Sequence, residues 1–437
     1  MVLFLPRRQL RRKTKLIIIA VFLLVAVNFA LFFTDSSNVQ SEDDVSNLLG
    51  LVSLRPPFKV VTELPVFERD LRRNDSVLFT SVATAHAYMR HVTSLDDHKP
   101  IIIHYDSYER HLPRFINDSD RDYFLMSPVN RENLKPPPPE QLRGMIDVIA
   151  NGTFQMEYTC GFGSDSSYFH LNRTSAFVKY YDHALVPLLI PMGFLFQHFF
   201  DGTFPKIVQA WEYIKRPDTK IILERPNHDN VYRILERLNI TQEKVVWHRR
   251  NDVRTVYKAK YMINACVAPP MHPSLWRMMR RLLGVNDTAH LQQRHKKADV
   301  MLLTRAGASN GGRNALNMAN VYTALLERFG ERLVVFDSTH NLAQAMQVFQ
   351  QVRVIIGTHG GAFYNLNYSP LNTTVIEFVP YDYGGRDIHA LPHAIFWAMS
   401  DILGQTYWRV MAKSENYQHD VLMDYQKLSK ILDQVEL

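Results

Sequence analysis

The chain has 437 residues, 46% of them hydrophobic, with 22 prolines and a formal charge of +7, which is ordinary for a globular enzyme of one large or two medium domains. Arg7, Arg8, Arg11, Arg12, Lys13 and Lys15 all precede the first acidic residue, so the remainder of the chain is close to neutral. That distribution argues against nucleic acid as a main partner.

The basic cluster, residues 1–15, is followed by LIIIAVFLLVAVNFALFF, residues 16–33, in which Asn28 is the single polar member. As a helix this run spans roughly 27 Å, enough for a thin bilayer. Asp35, Glu42, Asp43 and Asp44 follow it. Positive residues stay cytoplasmic, so the pattern predicts a tail (1–15), an uncleaved anchor (16–33) and a lumenal body. The competing reading is a cleaved signal peptide, for which the run is long and lacks an obvious cleavage site. Residues 34–74 read as a stem, with Pro56 and Pro57 and little periodicity.

Glycosylation sequons occur at Asn74, Asn117, Asn151, Asn172, Asn239, Asn286 and Asn372. Asn367 fits the pattern, but Pro370 follows its serine and makes it a poor acceptor. So many sequons behind an apolar anchor predict a single-pass type II protein of the Golgi or endoplasmic reticulum membrane. Only Cys160 and Cys266 are present. One lumenal disulfide or two buried thiols both remain open, and a disulfide scaffold is excluded.

In the body, Ile101–Ile103 reads as a strand and Lys135–Glu140, KPPPPE, as an extended loop. From about residue 196 the pattern clears. Pro205–Ile214 reads as a helix, Lys220–Leu223 as a strand and Val231–Leu238 as a helix. Val245–Trp247 and Tyr261–Asn264 read as strands, and Ser274–Leu283 as an amphipathic helix. A polar stretch near 284–298 precedes a second series: strand Val300–Leu303, helix Ala315–Phe329, strand Leu333–Phe336, helix Leu342–Gln350, strand Val352–Ile356 and strand Thr374–Phe378. Two strand–helix series predict two Rossmann-like domains, 75–285 and 286–437, with the ligand in the cleft between them.

Chemistry-bearing residues cluster in three stretches. Strand Val352–Ile356 runs into Gly357-Thr358-His359-Gly360-Gly361, and Glu377 sits near the end of the next strand. A glycine turn and a histidine at a helix start suit a diphosphate, and an acid one strand later suits ribose hydroxyls. The bland alternative is a tight turn with His359 as a cap. In LLTRAGASNGGRNALN, residues 302–317, Arg305 follows a strand, Arg313 opens the next helix and Asn317 lies one turn on. Guanidinium forks suit diphosphate oxygens, although either arginine alone reads equally as a surface residue. In FQHFFDGTFP, residues 196–205, His198 and Asp201 share a helical face among aromatics, as a catalytic base or as a pair fastening a helix.

These three stretches resemble glycosyltransferase family 61, which includes the enzymes adding GlcNAc to EGF domains or to O-mannose and plant xylosyl- and arabinosyltransferases. The resemblance spans about residues 190–400. FQHFFDGTFPKI is similar to the family's histidine–aspartate segment, TRAGASNGGRNALN to its R…R…LN segment, and THGGAFYNLNYSPLNTTVIEFVPY to its HGA turn and V-I-E strand. Two departures concern donor choice: Gly361 stands where the family reads alanine, and Met318 where an acid commonly follows the asparagine.

The resemblance implies a GT-B architecture: two Rossmann-like α/β domains with a cleft, here preceded by a transmembrane helix. Residues 75–285 would form the acceptor-side domain and residues 286–437 the nucleotide-sugar domain with closing helices. It also implies inversion at the anomeric carbon, a UDP-sugar donor (UDP-GlcNAc or UDP-xylose) and a glycoprotein or glycan acceptor. No cofactor is expected. Asp118-Ser119-Asp120 is similar to the acidic pairs that hold Mn²⁺ in other glycosyltransferases, but it heads a sequon stretch and reads as a charged loop. On this reading Arg305, Arg313, Asn317, His359, Gly360, Gly361 and Glu377 bind the donor. Asp201 is the base, with His198 as its partner or substitute. An inactive lumenal lectin or scaffold, and a lumenal sulfotransferase, are the alternatives from other classes.

Overall fold

The computed structural model describes residues 76–155, 177–250, 252, 254–265, 267–285, 299–305, 312–337, 339–381 and 394–435. The expected tail, anchor and stem lie outside these residues, as do Asn74, Asn172, Asn286, Cys160 and Cys266. No helix among the described residues is long and apolar enough to cross a membrane.

Two sheets organise the body. The first comprises β1 (Val77–Phe79), β2 (Ile101–His104), β3 (Arg143–Ala150), β4 (Thr153–Gln155), β5 (Phe177–Pro187), β6 (Thr219–Glu224), β7 (Val245–His248) and β8 (Thr255–Asn264). Their order is β1-β2-β3-β8-β5-β6-β7, with β4 beside β8. β5, β6, β7 and β8 run parallel, but β3 is antiparallel to both β2 and β8. The first domain is therefore a mixed sheet rather than the plain Rossmann unit expected. β3 is the reason: its first half, Arg143–Ile146, alternates partly buried with buried residues, as an antiparallel strand does.

The second sheet matches a Rossmann-like half closely. β9 (Val300–Leu303), β10 (Leu333–Phe336), β11 (Val354–Thr358), β12 (Thr374–Tyr381) and β13 (Thr406–Lys413) are all parallel, in the order β10-β9-β11-β12-β13. β9 and β11 are buried along their whole length, because helices cover both faces of a parallel sheet. Those helices carry their own signals. Leu342–Phe349 starts with a reciprocal capping box between Asn341 and Gln344. Pro273–Leu282 starts with proline in its first turn behind a His272 cap.

The sheets are joined by packing as well as by chain. One core cluster runs from Val186 and Phe204 in the first half to Ile355 and Tyr368 in the second. Arg280, fully buried, donates to the carbonyls of Asn367 (2.6 Å) and Ser369 (2.8 Å). An early segment also crosses over. Arg114 pairs with Trp408 as a one-residue extension of the second sheet.

The following residues form a helix, Asp118–Met126, capped by Asn117. Asp118-Ser119-Asp120 is thus a helical first turn, not the charged loop expected. Asp120 is buried, bonded by Lys427 (3.0 Å) and by the amide of Met411 (3.2 Å). A carboxylate at a helix start with a lysine and an amide on it is a structural fastener.

Candidate functional site

The strand order creates the site. From β9 the chain goes outward to β10 on one side, then returns to β11 on the other. Between the carboxyl ends of β9 and β11 the connections diverge and leave a crevice, the usual ligand position of an open parallel sheet. Arg305 follows β9 and His359 follows β11, so the topology brings these two expected residues to one place.

At the turn, Gly360 has extended backbone, φ 175, so its role is not conformational. It is steric: a Cβ there would lie 2.0 Å from Nη1 of Arg305. Gly361 is different, since a Cβ would meet only Oε1 of Gln197, at 3.8 Å. A three-ten segment, Gly361–Tyr368, follows. His359 is nearly buried, its Nδ1 2.5 Å from Oε1 of Glu377. The other Glu377 oxygen accepts from the hydroxyl of Tyr407. Burial and the Glu377 charge push the Tyr407 phenol far up, so it remains a donor. Glu377 is fully buried with both oxygens engaged, which fits a role in orienting His359 and the turn from behind rather than in contacting a ribose.

The arginine segment also departs from expectation. The helix begins at Met318, so Arg313 and Asn317 precede it rather than sharing its face. Ala315 instead pairs with Val421. Asn317 accepts from the amide of Met423 and donates to its carbonyl, both at 2.9 Å. Its side chain braces the segment near Met423 with both of its polar atoms.

Gly312 has φ +70, and a Cβ there would sit 2.4 Å from the carbonyl of Gln418. Arg313 has φ +55, a left-handed conformation that is uncommon outside glycine. Its amide bonds the Gln418 carbonyl (2.9 Å), and the next amide, of Asn314, bonds Asp420 (2.7 Å). The strained backbone is thereby fixed from both sides.

Arg305 donates from Nε to the Gly312 carbonyl, 2.9 Å, and from Nη1 toward the His359 carbonyl, 3.5 Å. Burial, then the charge of Arg313, pulls the Arg305 guanidinium down to about 10. Burial likewise lowers Arg313, with Glu377 opposing. Two neighbouring half-buried guanidiniums, with the charge of Arg313 disfavouring that of Arg305, make a site that suits an anion.

Across the crevice, the His198 stretch forms a tight sequence of turns: helix Phe196–His198, a wide π-helical turn Phe199–Thr203 and helix Phe204–Gln209. Phe199, Phe200 and Phe204 anchor the turn in the core. π-turns recur at functional sites because they displace one side chain from the regular helical face. Asp201 is only 6% exposed, and its Oδ2 accepts from the hydroxyl of Tyr364 at 2.6 Å. His198 Nδ1 stands 3.5 Å from the other oxygen, with its side chain 21% exposed. The accessible member of the pair is therefore His198, the reverse of the expected order.

Tyr364, Tyr407 and Phe396 were not legible as site residues. Tyr364 had a weak signal, being an aromatic just past the glycine turn, whereas Tyr407 is brought in by strand pairing alone. Among the described residues, no three His, Cys, Asp or Glu side chains form a cation cage. The sequon residues Asn117, Asn151, Asn239 and Asn372 are exposed, whereas Asn367 is fully buried.

Residues 196–376 match the family model described as Glycosyltransferase 61. The match covers the histidine–aspartate stretch, the arginine stretch and the glycine turn, and it bears out the resemblance read from them. It supports glycosyltransferase activity, hence a nucleotide-sugar donor and an acceptor. No curated protein matches the chain significantly.

Proposed function

We propose, from the match of residues 196–376 to the glycosyltransferase 61 family model, that the protein is an inverting glycosyltransferase of the secretory pathway. It transfers a sugar from a UDP donor, UDP-GlcNAc or UDP-xylose, to a hydroxyl of a glycoprotein or glycan. The observation that carries the reading is the half-buried pair Arg305 and Arg313, at the switch point beside His359 and Gly360.

In the reaction the acceptor oxygen attacks the anomeric carbon from the face opposite UDP. The bond from that carbon to the diphosphate oxygen breaks, and UDP departs with the electron pair. Arg305, Arg313 and His359, the last oriented by Glu377, stabilise the charge that develops on the diphosphate. His198, held by Asp201, takes the proton of the acceptor hydroxyl through Nε2. A Nδ1 to Oδ1 separation of 3.5 Å is loose for a hydrogen bond, as is common before substrate binds. The cationic rim does the work of a divalent ion, so no metal is required.

The anchor at 16–33 and the sequons support a type II protein with a lumenal body. The test uses full-length protein with UDP-GlcNAc or UDP-xylose and a panel of glycoprotein acceptors. Sugar transfer with UDP release should persist in EDTA. Failure to bind UDP, or complete loss of activity restored only by Mn²⁺, would overturn this donor site. Endoglycosidase treatment of the cell-made protein should lower its mass, and an unchanged mass removes the lumenal assignment.

A further inference from the structure

Tyr364 ties the two sides of the crevice together. It lies on the segment Gly361–Tyr368, which starts at the glycine turn, yet its hydroxyl bonds Asp201 in the facing half at 2.6 Å. Its ring packs edge-on to Phe396 at 5.2 Å and against Phe200 at 6.3 Å. Phe396 also contacts the His359 ring, at 5.1 Å. A continuous packed series therefore runs from His359 through Phe396, Tyr364 and Asp201 to His198.

The hydroxyl is the informative atom. A phenylalanine would fill the same apolar space, so packing alone does not call for it. A buried hydroxyl with a single carboxylate partner is explained by what it holds. Burial and the Asp201 charge push its ionisation far up, which fixes its donor sense. With Oδ2 of Asp201 pinned, the carboxylate can present only Oδ1 to His198.

We propose that Tyr364 is a positioning residue that makes the orientation of His198 depend on donor binding at the glycine turn. The proposal rests on the reading of His198 as the acceptor-side base. Diphosphate binding at Gly360–Gly361 shifts the start of the segment that carries Tyr364, and the pinned Asp201 passes the shift to His198. Such a link biases the base toward its working position when donor is present, and so limits proton transfer in an empty site.

The test uses full-length protein with ¹³C-labelled histidine and UDP as probe. His198 and His359 signals are assigned by their loss in His198→Gln and His359→Gln. In the wild type, UDP should shift both signals. In Tyr364→Phe, UDP affinity should stay within about twofold, the margin for an uncoupled site, and His359 should still respond. His198 should fall silent. A full His198 response in that variant, or none in the wild type despite UDP binding, overturns the proposal. Absence of any His359 response in the wild type overturns the donor-site reading instead. If Tyr364→Phe does not fold, Asp201→Asn carries the test, and a retained His198 response there overturns the proposal.

Discussion

At the scale of single residues, the adjacent glycines of the turn differ in what they tolerate. Gly361→Ala adds a methyl that meets only ordinary contact, so melting temperature and UDP affinity should be unchanged. Gly360→Ala drives a methyl into the Arg305 guanidinium. The arginine can swing aside, so the fold should survive while the cradle opens. Arg313→Ala removes the second cation. A charge-assisted bond to a diphosphate is worth roughly 1.5–3 kcal/mol, so UDP affinity or turnover should fall about ten- to a hundredfold in either damaging variant. Calorimetric titration with UDP checks all three. No loss of UDP affinity in Gly360→Ala would mean that the turn and Arg305 do not face the diphosphate. The same contrast bears on the departure from the family's turn: the alanine found there is sterically compatible with this chain, so Gly361 itself does not mark a different donor.

Among elements, legibility followed locality. β9, β10 and the helix Leu342–Phe349 are legible nearly to the residue, because a buried parallel strand is a short apolar run between turn signals and the helix has its own capping signal. β13 is not legible from its own residues: TYWRVMAK contains an arginine and a lysine, and its pairing with β12, where Glu377 meets Arg409, and with Arg114 far earlier in the chain makes it a strand. The start of the helix after Arg313 was misplaced because residues near 420 hold the preceding backbone off the helical path. The bonds of Glu377 to Tyr407 and of Asn317 to Met423 are not legible for the same reason, since those partners are distant in sequence.

The helix Asp118–Met126 shows the element-scale consequence. Lys427→Met should leave Asp120 buried with only amide support. Because the lysine is about a quarter exposed (27%), the loss should lie between the surface value of about 1 kcal/mol and the buried value of about 3–5 kcal/mol. Adding Asp120→Asn should restore much of it by removing the stranded charge. Urea unfolding of both variants decides, and a double variant weaker than the single one would show that Asp120 acts through other contacts.

Over the whole molecule, buried histidines set the acid limit of stability. His98 is pulled down to about 4, chiefly by burial, from an ordinary value of 6.5. His86, His248 and His272 are buried and lowered for the same first cause. Each is neutral when folded and takes a proton near 6.5 when unfolded. The unfolded chain therefore binds more protons between about pH 6.5 and 4, and stability falls as pH falls through that window. Asp252, Asp337 and Asp420 are held below 3.8, so their contribution is lost only at lower pH. His98 alone is worth about 3 kcal/mol across its window, on the scale of 1.36 kcal/mol per unit. His98→Asn keeps an acceptor for the Tyr213 hydroxyl, which the ring nitrogen now meets at 2.7 Å, but cannot titrate. Wild-type melting temperature should drop steadily from pH 6.5 toward 4, and the asparagine variant should show a shallower slope with little change near pH 8. Equal slopes in the two proteins would mean that His98 is protonated in the folded state as readily as in the unfolded one, and that the acid sensitivity resides in the other three rings.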